Sequence, residues 1–313
     1  MPELPDLEVY VEAIAARVRG EPLLRVRLGN PFLLRSAEVP LAEAAGHRVT
    51  AVRRMGKRIV LALEGDLFLA LHLMIAGRLH WKPSDAKLPG RMGLAAFDFP
   101  AGTLLLTEAG TKRRAALHLV RGAPALAALD RGGLEVLSAD LEGFRAALLR
   151  ENHTLKRALT DPGLFAGIGN AYSDEILHRA RLSPVKLTSR LSAEEIATLF
   201  EATRATLVEW TARLRGEADG ELPEGVTAFR EEMAVHGKHR RPCPVCGTAV
   251  QRIVRAENEV NYCPRCQTGG QILSDRSLAR LLKEDWPRTI DELEKNPALG
   301  ALRAGPPPKR RGR

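Results

Sequence analysis

The residues with chemistry to offer lie at opposite ends of the chain. It opens Met1-Pro2-Glu3-Leu4-Pro5-Asp6. A small second residue lets the initiator methionine be removed, which leaves Pro2 with a free secondary amine. An α-amino group has a pKa of about 8, lower if desolvated, so this amine is partly unprotonated at neutral pH. It can then attack a carbonyl-like carbon to give an iminium. Glu3 beside it is a carboxylate able to move a proton or stabilise the cation. The competing reading is structural, with the proline-flanked opening a rigid lead-in to a helix over residues 6–18.

The second group is Cys243-Pro244-Val245-Cys246 and Cys263-Pro264-Arg265-Cys266, which hold all four cysteines of the chain. Two thiolates three apart converge on one cation, so two such pairs enclose a tetrahedral zinc site in a ribbon. Gly247 supplies the backbone freedom for the first knuckle, and Pro242, Pro244 and Pro264 stiffen both. Two disulfides are the alternative, and they fit poorly in a chain with this much core and no signal peptide. Lys238, His239, Arg240, Arg241, Arg252, Arg255 and Arg265 surround the ribbon and suit a polyanion.

The chain has 313 residues, enough for two or more domains, and 45% apolar composition lets it bury real cores. Its net charge of +9 favours nucleic acid as partner. No apolar run reaches the roughly 20 residues of a membrane span; the best, over 58–77, is cut by Glu64-Gly65-Asp66. A soluble, monomeric, cytoplasmic or nucleoid-associated protein is expected. Aromatic content of 4% argues against a single-strand binder built on stacking platforms, so duplex contact is the expected mode.

Residues 23–28, 49–53, 58–63, 67–73, 94–97, 103–107 and 116–120 read as strands of a sandwich or barrel. Two basic turns interrupt them: Arg53-Arg54-Met55-Gly56-Lys57-Arg58 and the loop holding Lys112, Arg113 and Arg114, both suited to phosphates. Beyond Gly132-Gly133 the texture is helical, with helices over 140–150, 153–159 and 192–214, the first capped by Ser138 or Asp140. Between them Gly167-Ile168-Gly169-Asn170 makes a tight turn. Its N–H groups, with Asn170 capping the next helix, offer a phosphate site. Residues 217–224 form an acidic loop, and short helices follow the ribbon at 274–284 and 289–293. The tail over 305–313 is basic and suits non-specific DNA attraction. The expected domains are 1–131, 132–238, 239–270 and an extension over 271–313.

Taken together, Pro2-Glu3-Leu4-Pro5, Lys57 after a double arginine, Gly167-Ile168-Gly169-Asn170, and the ribbon ending Tyr262-Cys263-Pro264-Arg265-Cys266-Gln267 resemble the formamidopyrimidine-DNA glycosylase and endonuclease VIII family. The resemblance covers residues 1–268. It implies a multidomain α+β fold: an N-terminal β-sandwich, a helix–two-turn–helix domain and a four-cysteine zinc ribbon with one structural Zn2+. It also implies a base-excision enzyme that flips a damaged base out of bent DNA, then nicks the strand by β-elimination. The matching residues are Pro2 as Schiff-base nucleophile, Glu3 as proton shuttle and Lys57 on the lesion-strand phosphate. Lys156 and Asn170 match residues holding backbone phosphates.

Three positions depart from the family pattern. A methionine wedge is usual in His-Leu-Gly-Met-Ser-Gly; here Ile75 takes its place in His72-Leu73-Met74-Ile75-Ala76-Gly77, and Met74 replaces a glycine. The void-filling Asp-Pro-Arg-Arg-Phe-Gly loop is Gly110-Thr111-Lys112-Arg113-Arg114-Ala115, without its aromatic plug. Asn258 stands where a phosphate-gripping arginine is expected, and Arg255 or Arg252 are the local substitutes. An arginine fork and a neutral amide are not equivalent on phosphate, so a non-catalytic lesion binder on the same scaffold is the alternative function. A zinc-ribbon transcription or translation factor leaves Pro2-Glu3 and the glycine turn unexplained.

Overall fold

The computed structural model describes residues 1–109, 112–223, 230–255, 258–273 and 287–295. The helix expected over 274–284, the basic tail, and Gly110 and Thr111 of the second basic loop lie outside the described residues. Among those described, no helix is long and apolar enough to cross a membrane.

Helix α1 (Leu4–Val18) begins two residues earlier than expected, because Pro5 falls in the first turn, where its missing N–H has no helical partner to lose. Its Leu7, Tyr10, Ile14 and Val18 pack into the sandwich core, whereas Leu4 and Val9 pack into the helical core. The sandwich holds β1 (Arg25–Leu28), β2 (Val49–Met55), β3 (Arg58–Leu63), β4 (Leu67–His72), β5 (Gly77–Lys82), β6 (Gly93–Phe99), β7 (Gly102–Glu108) and β8 (Ala116–Arg121). They form two antiparallel sheets, ordered β1-β6-β7-β5 and β2-β3-β4-β8, which decides for a sandwich over a barrel. Strand β5 is the one that patterning does not separate from its neighbours. Only Leu79 and Trp81 alternate there with Arg78, His80 and Lys82, a signal too short to stand apart.

Met55 pairs with Arg58, so Gly56 and Lys57 make a two-residue turn, with Gly56 at φ 57°. This is the basic turn expected from sequence, but Arg54 is not available to phosphate. Its side chain is buried, and its Nε lies 2.7 Å from Glu8 on α1 while its Nη1 lies 3.1 Å from Glu135 beyond the sandwich.

The helical region contains α2 (Ala123–Ala127), α3 (Leu141–Leu149), α4 (Leu155–Thr160), α5 (Asn170–Arg179) and α6 (Ala193–Ala218). Asp140 caps α3 by accepting the Gly143 N–H at 2.8 Å. Ser192 and Glu195 cap α6 reciprocally, and that helix runs one turn past its expected end to a left-handed Asp219. Phe144, Phe165, Tyr172, Phe200 and Trp210 fill the core between them. The chain then forms β9 (Gln251–Arg255), β10 (Asn258–Tyr262), α7 (Pro264–Thr268) and α8 (Ile290–Lys295). The whole is multidomain α+β.

Arg54→Met should remove the side chain that joins Glu8 and Glu135. Both carboxylates are partly exposed, so the expected loss is modest, about 1–3 kcal/mol by urea denaturation. Unchanged or increased stability would show that desolvating the guanidinium costs as much as its pairs return.

Candidate active site and metal centre

The α1 and α5 N-termini meet across the fold. Leu4 N–H bonds to Gly167 O at 2.9 Å, which brings Glu3, the residue capping α1, onto the start of α5. The Glu3 carboxylate is 3% exposed and accepts three backbone N–H groups: Gly169 at 2.7 Å, Ala171 at 2.9 Å and Tyr172 at 3.1 Å. An anion here meets the unpaired N–H groups and the positive end of the helix. Charge-assisted bonds of this kind are worth roughly 1.5–3 kcal/mol each. Both glycines of the turn are needed. Gly167 sits at φ 79°, and a Cβ on Gly169 would fall 2.5 Å from Glu3 Cδ.

Of the turn's own N–H groups, that of Gly169 is therefore held by a carboxylate of the same chain and is not open to the DNA phosphate expected there. Asn170 is the first residue of α5 rather than its cap, and its Nδ2 donates to Glu259 O at 2.9 Å.

Glu3 forms part of the wall of a cleft of about 740 Å³, shared with Met1, Lys57, Ile75, Lys156 and Asn170. Pro2, between the wall residues Met1 and Glu3, is buried. Burial lowers the pKa of the terminal amine, opposed by the charge of Glu3. Burial likewise lowers that of Lys57, again against Glu3, with Lys156 adding to the fall. Lys156 is 8% exposed, with Nζ 2.5 Å from Asp174 Oδ1 and 2.6 Å from Asn170 O, so its charge is matched within the protein. Ile75, expected as the wedge, is 57% exposed on the turn after β4. Met74 beside it takes φ 53°, the left-handed conformation that a glycine would hold without strain.

The remaining expected contacts are further out. Lys112 and Arg113 are exposed, and Arg113 donates to Arg91 O. Glu108 braces their loop by accepting the N–H groups of Arg114 and Ala115 at 3.0 and 3.1 Å. Arg255 and Asn258 pair with each other through the backbone at the end of the β9–β10 hairpin; their side chains lie outside what is described. Sequence reasoning missed Asp6, Asp174 and His236. His236 also lines the cleft, and its Nδ1 lies 2.8 Å from Asp174 Oδ2. The signal available was weak: an acidic pair, Asp174-Glu175, on a helix with much of its length buried.

Asp6 sits behind the site. Its Oδ2 accepts the Glu3 N–H at 2.9 Å, and its Oδ1 lies 3.8 Å from Arg230. Burial pushes its carboxyl up to about 7, partly opposed by that N–H bond, with the Glu3 charge adding to the rise.

At the ribbon, Cys243 Sγ lies 3.9 Å from Cys266 Sγ, Cys246 Sγ lies 3.4 Å from Cys263 Sγ, and all four fall within 4.8 Å of one another. Disulfides need sulfurs about 2.05 Å apart, whereas a tetrahedral Zn2+ with bonds of about 2.3 Å separates its thiolates by about 3.8 Å. The donors therefore fit one structural zinc ion. Gly247 turns the first knuckle at φ 74°, its N–H on Cys243 O at 2.8 Å.

Comparison with known proteins agrees with this geometry. Family models match three successive parts: a formamidopyrimidine-DNA glycosylase N-terminal domain over 1–113, a formamidopyrimidine-DNA glycosylase H2TH domain over 133–216, and a zinc finger found in FPG and IleRS over 241–269. The formamidopyrimidine-DNA glycosylase of Heliobacterium modesticaldum is 34% identical over 278 residues, covering 85% of this chain and 100% of its own. The crystal structure of the MutM (Fpg) protein from Thermus thermophilus matches with a TM-score of 0.71 at 33% identity, over 85% of this chain and 98% of that one. Lactococcus lactis Fpg, solved in complex with DNA containing an abasic site, is alike in fold, with a TM-score of 0.75 at 24% identity over 85% and 99%. A sandwich and a helix–two-turn–helix lobe closing on one cleft, with a zinc ribbon as its third wall, define a DNA glycosylase for damaged bases. The chain belongs to the formamidopyrimidine-DNA glycosylase family.

Two outcomes follow from this geometry. Gly169→Ala should displace the Glu3 carboxylate, lowering stability by about 2–4 kcal/mol in urea titration; an unchanged midpoint would mean that the three N–H bonds contribute nothing net. Asp6→Asn should alter the pH dependence of stability. The folded pKa of Asp6 lies above its unfolded value, so its favourable contribution is complete below about 4 and disappears as pH rises through about 7. Thermal melts should therefore show wild type losing stability relative to Asp6→Asn across that window, and parallel curves would refute the assignment.

Proposed function

We propose that this chain excises damaged, oxidised bases from duplex DNA and then nicks the resulting abasic strand, with Pro2 as nucleophile once Met1 is removed. The observation that carries this reading is the position of the terminus. Met1, Glu3 and Lys57 line the cleft, and burial there lowers the pKa of the Met1 amine, one residue from the Pro2 nitrogen. The Pro2 nitrogen attacks C1′ of the extruded deoxyribose and gives up its proton as the base departs with one; the C1′–O4′ bond then opens, O4′ taking up a proton, which leaves a C1′–nitrogen iminium. The iminium acidifies the C2′ hydrogen, whose loss expels the 3′ phosphate. Glu3 lies within the same wall to carry protons, and its three N–H bonds keep it oriented. Lys57, unusually desolvated for an ammonium, gains most from a phosphate beside it. Ile75 occupies the stack that the damaged nucleotide leaves. The match to a fold solved with abasic-site DNA supports DNA as the partner.

A second reading, lesion binding without turnover, draws on Asn258 in place of an arginine. The two separate on one experiment. Borohydride should trap processed wild type on abasic or damaged duplex DNA as a covalent adduct, and Pro2→Gly should reduce trapping at least tenfold, with intact mass confirming loss of Met1. Salt-dependent duplex binding with no adduct on any substrate, abasic sites included, would establish the binder instead.

A further inference from the structure

Helix α5 turns one face to the ribbon. Asn170, Asp174 and His178 recur at four-residue intervals, one above another along the helix and about 6 Å apart. Asn170 Nδ2 donates to Glu259 O on β10. One turn on, Asp174 Oδ2 accepts the Asn261 N–H at 3.1 Å and meets His236 Nδ1. At the far end, His178 Nε2 lies 3.2 Å from Sγ of Cys243. His178 is 7% exposed and Cys243 2%, so water cannot take over this contact. Glu175, on the adjoining row, accepts the N–H groups of Ala234, Val235 and His236 at 2.8–2.9 Å and fixes the strand of chain that leads into Cys243.

A zinc-bound cysteine is deprotonated, and its sulfur can then only accept. The contact therefore requires the proton on His178 Nε2. We propose that His178 is the hydrogen-bond donor that holds the Cys243 thiolate in its metal-binding orientation and sets the level of the ribbon along α5. The consequence reaches the cleft, because Ile253, Glu259 and Val260 of the same ribbon line it. Zinc retention and the position of the third wall are joined through one imidazole. The bond weakens the charge on sulfur without removing it, and it fixes one of the four donors before the metal arrives. Partners of this kind commonly alter metal affinity 10–100-fold.

The test uses the full chain and reads the metal, so it is independent of base excision. His178→Phe keeps the bulk and loses the donor; His178→Gln keeps an N–H at comparable reach. With a chromogenic chelator in excess, His178→Phe should release zinc about tenfold faster than wild type, and His178→Gln should recover most of the difference. In the Co2+-substituted protein, losing the N–H···S bond should move the sulfur-to-metal charge-transfer band to lower energy in His178→Phe and leave it near wild type in His178→Gln. Circular dichroism checks that both variants are folded. Equal release rates with an unmoved band overturn the proposal, as does a Gln variant no better than Phe, which would make the contact one of packing. A wild-type cobalt spectrum with a nitrogen ligand would also overturn it, since His178 would then bind the metal itself.

Discussion

The carboxylate of Glu3, held on the first N–H groups of α5, is the contact on which the site depends. It joins residues 166 to 169 positions apart, and with Leu4 N–H on Gly167 O it locks the start of the chain to the helical lobe. A buried carboxylate is costly to desolvate, and three N–H donors at the positive end of a helix offset that cost. The same bonds leave the side chain no rotational freedom. The terminus is thereby placed in the cleft by the tertiary fold, although a chain end would ordinarily fray.

Around that contact the molecule solves a recurring problem of placing charge in a poorly hydrated cleft. Lys156 is neutralised by Asp174, Arg54 by Glu8 and Glu135, and Glu3 by backbone dipoles. Lys57 and the terminal amine are treated differently: burial lowers the pKa of both, opposed at Lys57 by the charge of Glu3 and at the amine by Glu3 and, more weakly, Asp6. Satisfied charges give a rigid frame, whereas desolvated amines give reactivity or affinity for an incoming anion. Helix α5 serves both ends, with Glu3 at its N-terminus and the zinc thiolate Cys243 beside its last turn.

Several expectations failed for one reason, that exposure was inferred from residue type. Arg54 in a run of basic residues reads as solvated, yet α1 and the segment before α3 supply two carboxylates to bury it. The glycine turn reads as open to an outside anion, yet its Gly169 N–H is taken by a carboxylate of the same protein. Met74 replaces a glycine and still takes the left-handed backbone of the turn, so Ile75 keeps an exposed position despite the altered motif.

The sequence by itself determined what local covalent spacing can determine. Cys-x-x-Cys pairs converge on a metal wherever they fold, period-two runs make strands, and Asp140 and Ser192 start helices by bonding within their own first turn. It also determined family membership, because several such local signals occur in one order. Only the tertiary structure decided which groups meet: Glu3 with Gly169, Lys156 with Asp174, His178 with Cys243. These pairs are separated by 18 to 166 residues, and nothing in either partner's neighbourhood specifies the other. Their association follows from how two cores pack on the shared helix α1, a property of the whole chain that no window of it contains.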